Sequence, residues 1–378
     1  MSGQTMKSPC VGIISSEQGT GSGACIALEY LLRGWVCGHD TIMVIAPPDS
    51  RIGRLARSSG FRFVALPAAK DRVLHNILAA RSIRSQLTDC TKIHAWHSRD
   101  FELGWLLGRW LHIPSSGTLH DHPDSSLLSA KRKALLKFVA RRINRLICVS
   151  GALQDEWKAV CGQTQLQVIH NGLPDIPPSR TPCQTIRIGF LGMYAPMKGF
   201  DVIAPWIAAS SSENTQWRLY GKPIPQWSVI AQQLAGSHPQ RVVLCGEQRP
   251  ESIFSEIDIL VHASVEFETF GMVLAEAARA GIPVVASMLG AASEIVTHGK
   301  TGYLFNPVAN PDDGLRYLRM LVSDNAARNA MGAAARQTYL DRFVIRLMAT
   351  QYARFWDLQE TIGEQRDPRL ESSRTRDA

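Results

Sequence analysis

The sequence predicts two α/β domains, each built on a doubly wound, Rossmann-like parallel sheet. Apolar runs of strand length recur along the chain. Most are followed by a loop and then by a helix-length segment whose apolar residues repeat at intervals of three and four. The 378 residues, 45% of them hydrophobic and 20% charged, can fill two separate cores. A polar, proline-rich stretch at 174–185 is typical of an interdomain linker.

The predicted first domain covers residues 1–173 and begins with a strand at Val11–Ile14. A glycine-rich loop at 19–23 and a helix at 24–35 follow this strand. The loop satisfies the GxGxxA pattern of dinucleotide-binding folds. Such a site needs an acidic residue at the end of the second strand, where this chain offers only Asp49 behind two prolines. The glycine pattern alone therefore does not establish a dinucleotide site.

The predicted second domain covers residues 186–342. Its most informative stretch is 258–287, which indicates a strand, a loop, a helix from residue 269, a turn and a second strand. The apolar residues of this helix have the spacing of one inward face. Gly281 ends the helix, and Pro283 prevents its continuation.

Two glutamates in this stretch suggest a ligand site. Glu268 lies in the loop at the end of a strand, where ligands of open α/β sheets bind, and Glu276 lies about two turns into the helix. The free N–H groups near Gly271 and Met272 favour a phosphate, and a deeper carboxylate suits the paired hydroxyls of a ribose. Taken in isolation, Glu268 could equally be a surface carboxylate, and Glu276 could pair with a neighbouring arginine.

The segment EFETFGMVLAEAARAGIPVVAS at 266–287 is followed by EIV at 294–296 and by HGKTG at 298–302. In residue types and spacing, this region resembles the signature of family 4 glycosyltransferases, which are retaining enzymes with the GT-B fold. The resemblance implies two Rossmann-like domains that face a cleft, and a final helix at 343–360 that returns to the first domain. The charged tail at 361–378 is expected to be disordered.

The resemblance also implies roles for individual residues. Lys198, in the pair Lys-Gly, would neutralise the donor diphosphate, and Glu268 would hold the sugar. His120 follows a strand that ends Thr-Leu and would steady the departing diphosphate from across the cleft. These three residues are the predicted catalytic set. The nucleotide sugar is expected to contact Gly21, Ser22, Gly23, Gly192, Lys198, Gly221, Phe270, Gly271, Met272, Val273 and Glu276.

The chain departs from the family pattern at two positions. Met193 stands where the family has an arginine that grips the diphosphate together with the lysine. One charge-assisted hydrogen bond contributes about 1.5–3 kcal/mol, so its loss would mean a weakened site, a replacement cation such as Lys222 or Arg249, or an inactive homologue. Ser22 follows Gly21 where the family usually has paired glycines.

No cofactor or metal is expected beyond the nucleotide-sugar substrate. Histidines near two strand ends suggest a metal site, but the chain has no CxxC, HExxH or DxD-type motif to support one. Metal-independent chemistry is therefore predicted. The eight cysteines are scattered, which is typical of reduced thiols in a cytoplasmic protein.

The formal net charge is +8, and no acidic residue occurs between 125 and 154. Basic residues concentrate at 131–145, where spacing by four predicts a helix stripe of Lys133, Lys137, Arg141 and Arg145. A basic amphipathic helix of this kind binds anionic headgroups, so peripheral contact with the inner face of a membrane is expected. The alternative is an ordinary solvated helix face. No aromatic residues alternate with these charges, which argues against a nucleic-acid partner.

The expected function is transfer of a sugar, with retention, from a nucleotide-diphosphate donor to a glycan or lipid-linked acceptor, as in cell-surface polysaccharide or lipopolysaccharide biosynthesis. Two alternatives stay open at this point. A GT-B epimerase or phosphorylase shares the fold. A non-catalytic nucleotide-sugar-binding homologue or partner subunit would account for Met193.

Overall fold

The computed structural model describes residues 9–18, 22–67, 73–125, 128–181, 183–209 and 214–359. Gly21 of the predicted site and the predicted tail at 361–378 lie outside these residues. The two predicted doubly wound domains are confirmed, because the described strands form one sheet of seven strands and one of six, with all strand pairs parallel.

The first domain alternates strands and helices throughout its described residues. Its elements are β1 (Val11–Ile14), α1 (Gly23–Arg33), β2 (Ile42–Ala46), α2 (Arg51–Ser58), β3 (Arg62–Ala65), α3 (Val73–Ile83), β4 (Lys92–Ala95), α4 (Phe101–Leu111), β5 (Ser115–Leu119), α5 (Ala130–Ala140), β6 (Arg145–Cys148), α6 (Gly151–Cys161) and β7 (Gln165–Val168).

The second domain repeats this alternation, and three helices end the described chain. Its elements are β8 (Ile186–Leu191), α7 (Phe200–Ala209), β9 (Thr215–Tyr220), α8 (Pro225–Ser237), β10 (Val242–Gly246), α9 (Pro250–Ser255), β11 (Ile259–His262), α10 (Met272–Arg279), β12 (Val284–Ser287), α11 (Ala292–Ile295), β13 (Gly302–Phe305), α12 (Pro311–Ser323), α13 (Asn325–Arg342) and α14 (Ile345–Phe355).

The strand order of each sheet creates a crevice at the carboxyl ends of its central strands. The first sheet has the order β3-β2-β1-β4-β5-β6-β7, and the second has β10-β9-β8-β11-β12-β13. In both sheets the chain winds outward from the first strand and then returns to that strand's other side. The order thus reverses between β1 and β4 and between β8 and β11, which are the positions where open α/β sheets bind ligands.

The helix expected from residue 269 begins three residues later, at Met272. Gly271 precedes it with φ +94°, a left-handed conformation that glycine adopts without steric cost but that cannot be part of an α-helix. Residues 269–271 are therefore an extension of the loop. This brings the amino end of α10 closer to Glu276 than the sequence indicated.

The predicted basic stripe is interrupted, because α5 ends at Ala140. Arg145 belongs instead to strand β6, where its guanidinium lies 4.3 Å from the ring centroid of Phe355 and donates a 3.0 Å hydrogen bond to the carbonyl of that residue. Arg141 donates to the carbonyl of Val160. Spacing by four therefore does not place these four side chains on one helix face.

The last described helix, α14, packs against the first domain. The hydroxyl of Tyr352 lies 2.9 Å from Thr118 Oγ1, and the indole of Trp356 donates to His94 Nδ1 over 3.3 Å. Lys92 Nζ forms an ion pair of 2.6 Å with Asp357. Helix α14 is thus anchored to strands of the first domain, as the family resemblance implied.

Two passages of the chain between the domains lie side by side. The N–H of Leu173 donates to the carbonyl of Phe343 over 2.8 Å, and the N–H of Ile345 donates to the carbonyl of Leu173 over 2.9 Å. Leu173 immediately precedes the stretch 174–185, and Ile345 begins α14. The connection into the second domain and the connection back out of it are therefore hydrogen-bonded to each other.

We expect Trp356→Ala to destabilise the protein by about 3–5 kcal/mol, because it empties a fully buried aromatic site between α14 and the first domain. Chemical denaturation followed by circular dichroism measures this change. Leu347→Ala, on the solvent-exposed side of α14, is the matched control and should change the free energy of unfolding by about 0.5 kcal/mol or less. Equal effects of the two substitutions would contradict the docking of α14.

Candidate functional site

A cavity of about 450 Å³ lies between the domains, at the carboxyl ends of strands from both sheets. We call it the interdomain cavity. Most of the predicted site residues that the structure describes line it. They are Ser22, Gly23, His120, Gly192, Lys198, Glu268, Phe270, Gly271, Met272 and Val273.

Lys198 reaches the cavity from a tight turn that follows β8. Gly199 has φ +71°, and a Cβ at this position would collide with the carbonyl of Ala263. Only glycine therefore lets this turn pack against the end of β11. The close packing places Lys198 Nζ 3.9 Å from Glu268 Oε2.

Glu268 is held by His262, which the sequence analysis did not single out. His262 Nε2 lies 3.2 Å from Glu268 Oε2, and both residues line the cavity. Burial raises the pKa of Glu268, but the hydrogen bond to His262 and the positive charge of Lys198 outweigh it, so the net effect lowers that pKa. Glu268 is consequently an ionised carboxylate beside a fixed cation.

The amino end of α10 also lines the cavity. Gly271 is its N-cap residue, and no side chain caps the first turn. A helix start without a side-chain cap leaves backbone N–H groups and the positive end of the helix dipole to interact with a ligand. This end and Lys198 are two groups of the cavity that favour an anionic ligand.

His120 comes from the opposite domain, directly after β5. Its Nε2 is buried and has no hydrogen-bond partner among the described residues, although the side chain lines the cavity. The ring packs against Trp96 and His97, with centroid distances of 5.4 and 6.2 Å. Burial, and then the neighbouring His97, lower the pKa of His120 to about 3. The imidazole is therefore neutral at physiological pH.

Two predicted binding residues do not line the cavity. Gly221 has φ +122°, and a Cβ at this position would collide with the Gly192 carbonyl, so close packing requires glycine here. Its contact with the nucleotide sugar stays a prediction. Glu276 is 5% exposed on α10 and lies near Arg279 and Tyr30. Burial raises its pKa to about 7, with Arg279 opposing that rise. It is therefore neither a surface carboxylate nor one half of a simple ion pair.

Several cavity residues were not predicted as site residues. Among them, His262 ends β11, His97 and Asp121 follow β4 and β5, and Asn171 follows β7. Each occupies the carboxyl end of a strand, and this position is the signal that could have identified them. His94 lies within β4, three residues before His97, and points into the core, where its two ring nitrogens are hydrogen-bonded to the hydroxyls of Ser116 and Thr118 over 2.9 Å each.

Lys198 is the single lysine or arginine among the described residues that line the cavity. Met193 is 44% exposed and lies outside the cavity lining. Lys222 and Arg249, the two replacement cations considered above, are exposed and also lie outside it.

In the described part of the chain, no group of three or more His, Cys, Asp or Glu side chains could hold a metal ion.

None of the helices in the described ranges is both long enough and apolar enough to cross a membrane.

We expect Glu276→Gln to change how stability depends on pH. The folded state holds the Glu276 proton up to about pH 7, whereas the unfolded state releases it near pH 4.5. Wild-type stability should therefore fall relative to the variant as pH rises from 5 to 8, by at most about 3 kcal/mol. Urea titrations across this range measure the difference. Glu247→Gln, at an exposed position, is the control, and its stability should depend on pH as that of wild type does. If the stability of Glu276→Gln also followed the wild-type pH dependence, the buried, protonated carboxyl would be contradicted.

Comparison with known proteins relates each domain to glycosyltransferases. Residues 27–175 match the family model "Glycosyltransferase Family 4", and residues 177–338 match "Glycosyl transferases group 1". Sulfoquinovosyl transferase SQD2 of Arabidopsis thaliana is 42% identical over 83 residues, 21% of this chain and 16% of that protein. N-acetyl-alpha-D-glucosaminyl L-malate synthase of Bacillus anthracis is 29% identical over 129 residues, 34% of each chain. The matches thus span about a sixth of the length of the first relative and about a third of the length of the second.

A solved structure extends the likeness to nearly the whole chain. Anabaena Alr3699/HepE, crystallised in complex with UDP and glucose, superposes with a TM-score of 0.77 at 19% identity, covering 92% of this chain and 99% of that one. This likeness establishes the predicted GT-B fold. Each domain is thus similar to a glycosyltransferase domain, and the chain has the GT-B fold.

Proposed function

We propose that the protein transfers a sugar, with retention, from a nucleotide-diphosphate donor to a glycan or lipid-linked acceptor. One observation carries the proposal: Lys198, the uncapped amino end of α10 and the unpartnered His120 Nε2 meet around one interdomain cavity. Two of these groups favour an anion, and the third reaches the same space from the other domain. The family resemblance of residues 266–287 supports retention.

The diphosphate of the donor would lie between Lys198 and the start of α10. Breaking the bond from the sugar to phosphate leaves the electron pair on a phosphate oxygen, so the transition state gains negative charge there. A fixed ammonium and the positive end of a helix stabilise that charge without reorganising. Loss of one such charge-assisted bond typically costs about 1.5–3 kcal/mol.

Glu268 would orient the sugar. As an ionised carboxylate it accepts hydrogen bonds from sugar hydroxyls, and the bond from His262 limits its rotation. His120 would contact the sugar from the opposite domain. Its ring donates to the backbone of Trp96, so the unpartnered Nε2 of the neutral ring is an acceptor for a hydroxyl. This role differs from the hydrogen-bond donor to the diphosphate that the resemblance implied.

Glu276 would accept hydrogen bonds from the nucleotide ribose. It lies four residues beyond Met272, about 6 Å along the axis of α10, so a donor extending past the cavity along this helix would reach it. Two ribose hydroxyls would supply the partners that the buried carboxyl needs to ionise. The UDP bound to the structurally similar HepE supports a uridine nucleotide as the first donor to test.

The acceptor would approach the first domain, whose α5 region presents a basic surface. Lys131, Arg141 and Arg142 are exposed there, and the Arg142 guanidinium lies 3.5 Å from the ring centroid of exposed Phe138. An arginine stacked on an exposed aromatic ring, with two further exposed basic residues in the same region, is suited to an anionic membrane surface. This arrangement supports a lipid-linked acceptor, cytoplasmic chemistry at a membrane and a role in cell-surface polysaccharide or lipopolysaccharide assembly.

We expect Lys198→Ala to lower kcat/KM for the donor about 10- to 150-fold, because it removes the only fixed cation among the described cavity residues. A panel of UDP- and GDP-sugars with product detection by mass spectrometry measures this, and NMR of the anomeric proton tests retention. Lys222→Ala, an exposed lysine outside the cavity, should behave like wild type. Tight nucleotide binding by the wild-type protein without turnover on any acceptor would instead favour the non-catalytic alternative.

We expect the combined substitutions Lys131→Ser, Phe138→Ser and Arg142→Ser to reduce co-flotation with vesicles containing anionic lipid several-fold, since they remove two charges and the exposed ring. Neutral phosphatidylcholine vesicles should recover little of either protein. Lys158→Ser, on the exposed side of α6, serves as the control. Equal recovery of the triple variant and wild type would contradict the proposed membrane contact.

A further inference from the structure

The amino end of α6, in the first domain, is capped by a carboxylate from the second domain. Glu294 Oε2 accepts the N–H of Gly151 over 3.0 Å, and Oε1 accepts the N–H of Ala152 over 2.8 Å. The same carboxylate lies 3.0 Å from His170 Nε2, also in the first domain. Glu294 belongs to α11, so all three of these bonds cross between the domains.

A fourth bond crosses the same interface beside the cap. Ser150 is the N-cap residue of α6, and its Oγ accepts the N–H of Leu153 over 3.1 Å. That hydroxyl donates in turn to the carbonyl of Thr269 over 2.6 Å. Thr269 belongs to the 268–271 loop, which lines the interdomain cavity. The start of one helix therefore contacts both α11 and this loop.

Within the second domain, α11 and the 268–271 loop are tied together. The N–H of Ala291 donates to the carbonyl of Glu268 over 2.8 Å. Gly290 has φ +61°, and a Cβ there would collide with the backbone of Glu268. The segment before α11 thus packs directly on Glu268. The residues that contact α6, Glu294 and Thr269, therefore belong to segments that pack on each other at Glu268.

The cap is charged under physiological conditions. Burial raises the pKa of Glu294, but hydrogen bonds from His170 and from the Ala152 and Gly151 N–H groups outweigh it and lower that pKa to about 2. The guanidinium of Arg342 donates to the backbone carbonyl of Glu294 and adds positive charge nearby. A carboxylate at a helix amino terminus also gains from the helix dipole.

We propose that Glu294 is a positioning residue that couples the arrangement of the two domains to the geometry of the 268–271 loop. The inference rests on the proposed function, in which this loop holds the donor sugar. With the cap in place, α6 fixes the loop through Ser150 and keeps His120 opposite Glu268. Without the cap, the first domain loses its polar contact with α11, and the two walls of the cavity separate.

The donor nucleotide would bind mainly the second domain, so loss of the cap should affect turnover more than donor binding. We expect Glu294→Ala to lower kcat tenfold or more, with the Kd for UDP changed less than threefold. Small-angle scattering of the ligand-free variant should show a larger radius of gyration than wild type. Glu294→Gln retains one acceptor oxygen and should be intermediate in both measurements. Glu247→Gln, an exposed change of the same chemistry, should match wild type in both.

Ser150→Ala provides a second, independent variant if Glu294→Ala fails to fold. In a double-mutant cycle, the combined Ser150→Ala and Glu294→Gln substitutions should lower kcat by less than the product of their separate effects, because both disrupt the interdomain contacts of the same helix start. Multiplicative effects, or an unchanged radius of gyration together with wild-type kcat, would overturn the proposal. Parallel losses of kcat, UDP affinity and thermal stability would also overturn it, since they indicate general destabilisation. If the wild-type protein transfers no sugar, the proposed function fails. The radius of gyration of Glu294→Ala relative to wild type still decides whether Glu294 holds the two domains together.

Discussion

The pairing of Leu173 with the segment Phe343–Ile345 is the contact on which the arrangement of the molecule depends. The chain passes between the domains at these two places, and two backbone hydrogen bonds join the passages. All strands of a parallel sheet end at one edge, so two such sheets can share a ligand only if those edges face each other. The paired passages and the docking of α14 on the first domain support that relation, together with the interdomain bonds of Glu294.

The electrostatics of the cavity follow from this arrangement, since similar groups acquire different charge states. Glu268 is ionised because His262 and Lys198 outweigh its burial, whereas the pKa of Glu276 rises to about 7 because burial dominates there. His120 is neutral because it is buried beside His97. The cavity thus combines one fixed cation, Lys198, with the carboxylates of Glu268 and Asp121 and the neutral ring of His120. This combination is suited to a ligand with an anionic part and a hydroxyl-rich part.

Much of the site was predictable because the family resemblance of the sequence pointed to it. Lys198, Glu268 and His120 were expected on that ground, and all three line the cavity after the ends of strands. Gly221 does not line the cavity, and close packing against Gly192 requires glycine there. The prediction was wrong for the stripe through Arg145, because a spacing of four carries no information about where a helix ends.

The sequence by itself determined the alternation of strands and helices, the two sheets and the strand ends at which ligands bind. These depend on residues within a few positions of one another, so local periodicity and glycine placement suffice. Only the tertiary structure decided which strand ends share a cavity, which carboxylates are ionised, and that Glu294 caps a helix of the other domain. Those properties depend on contacts between residues far apart in the chain, and local sequence patterns do not indicate which distant residues meet.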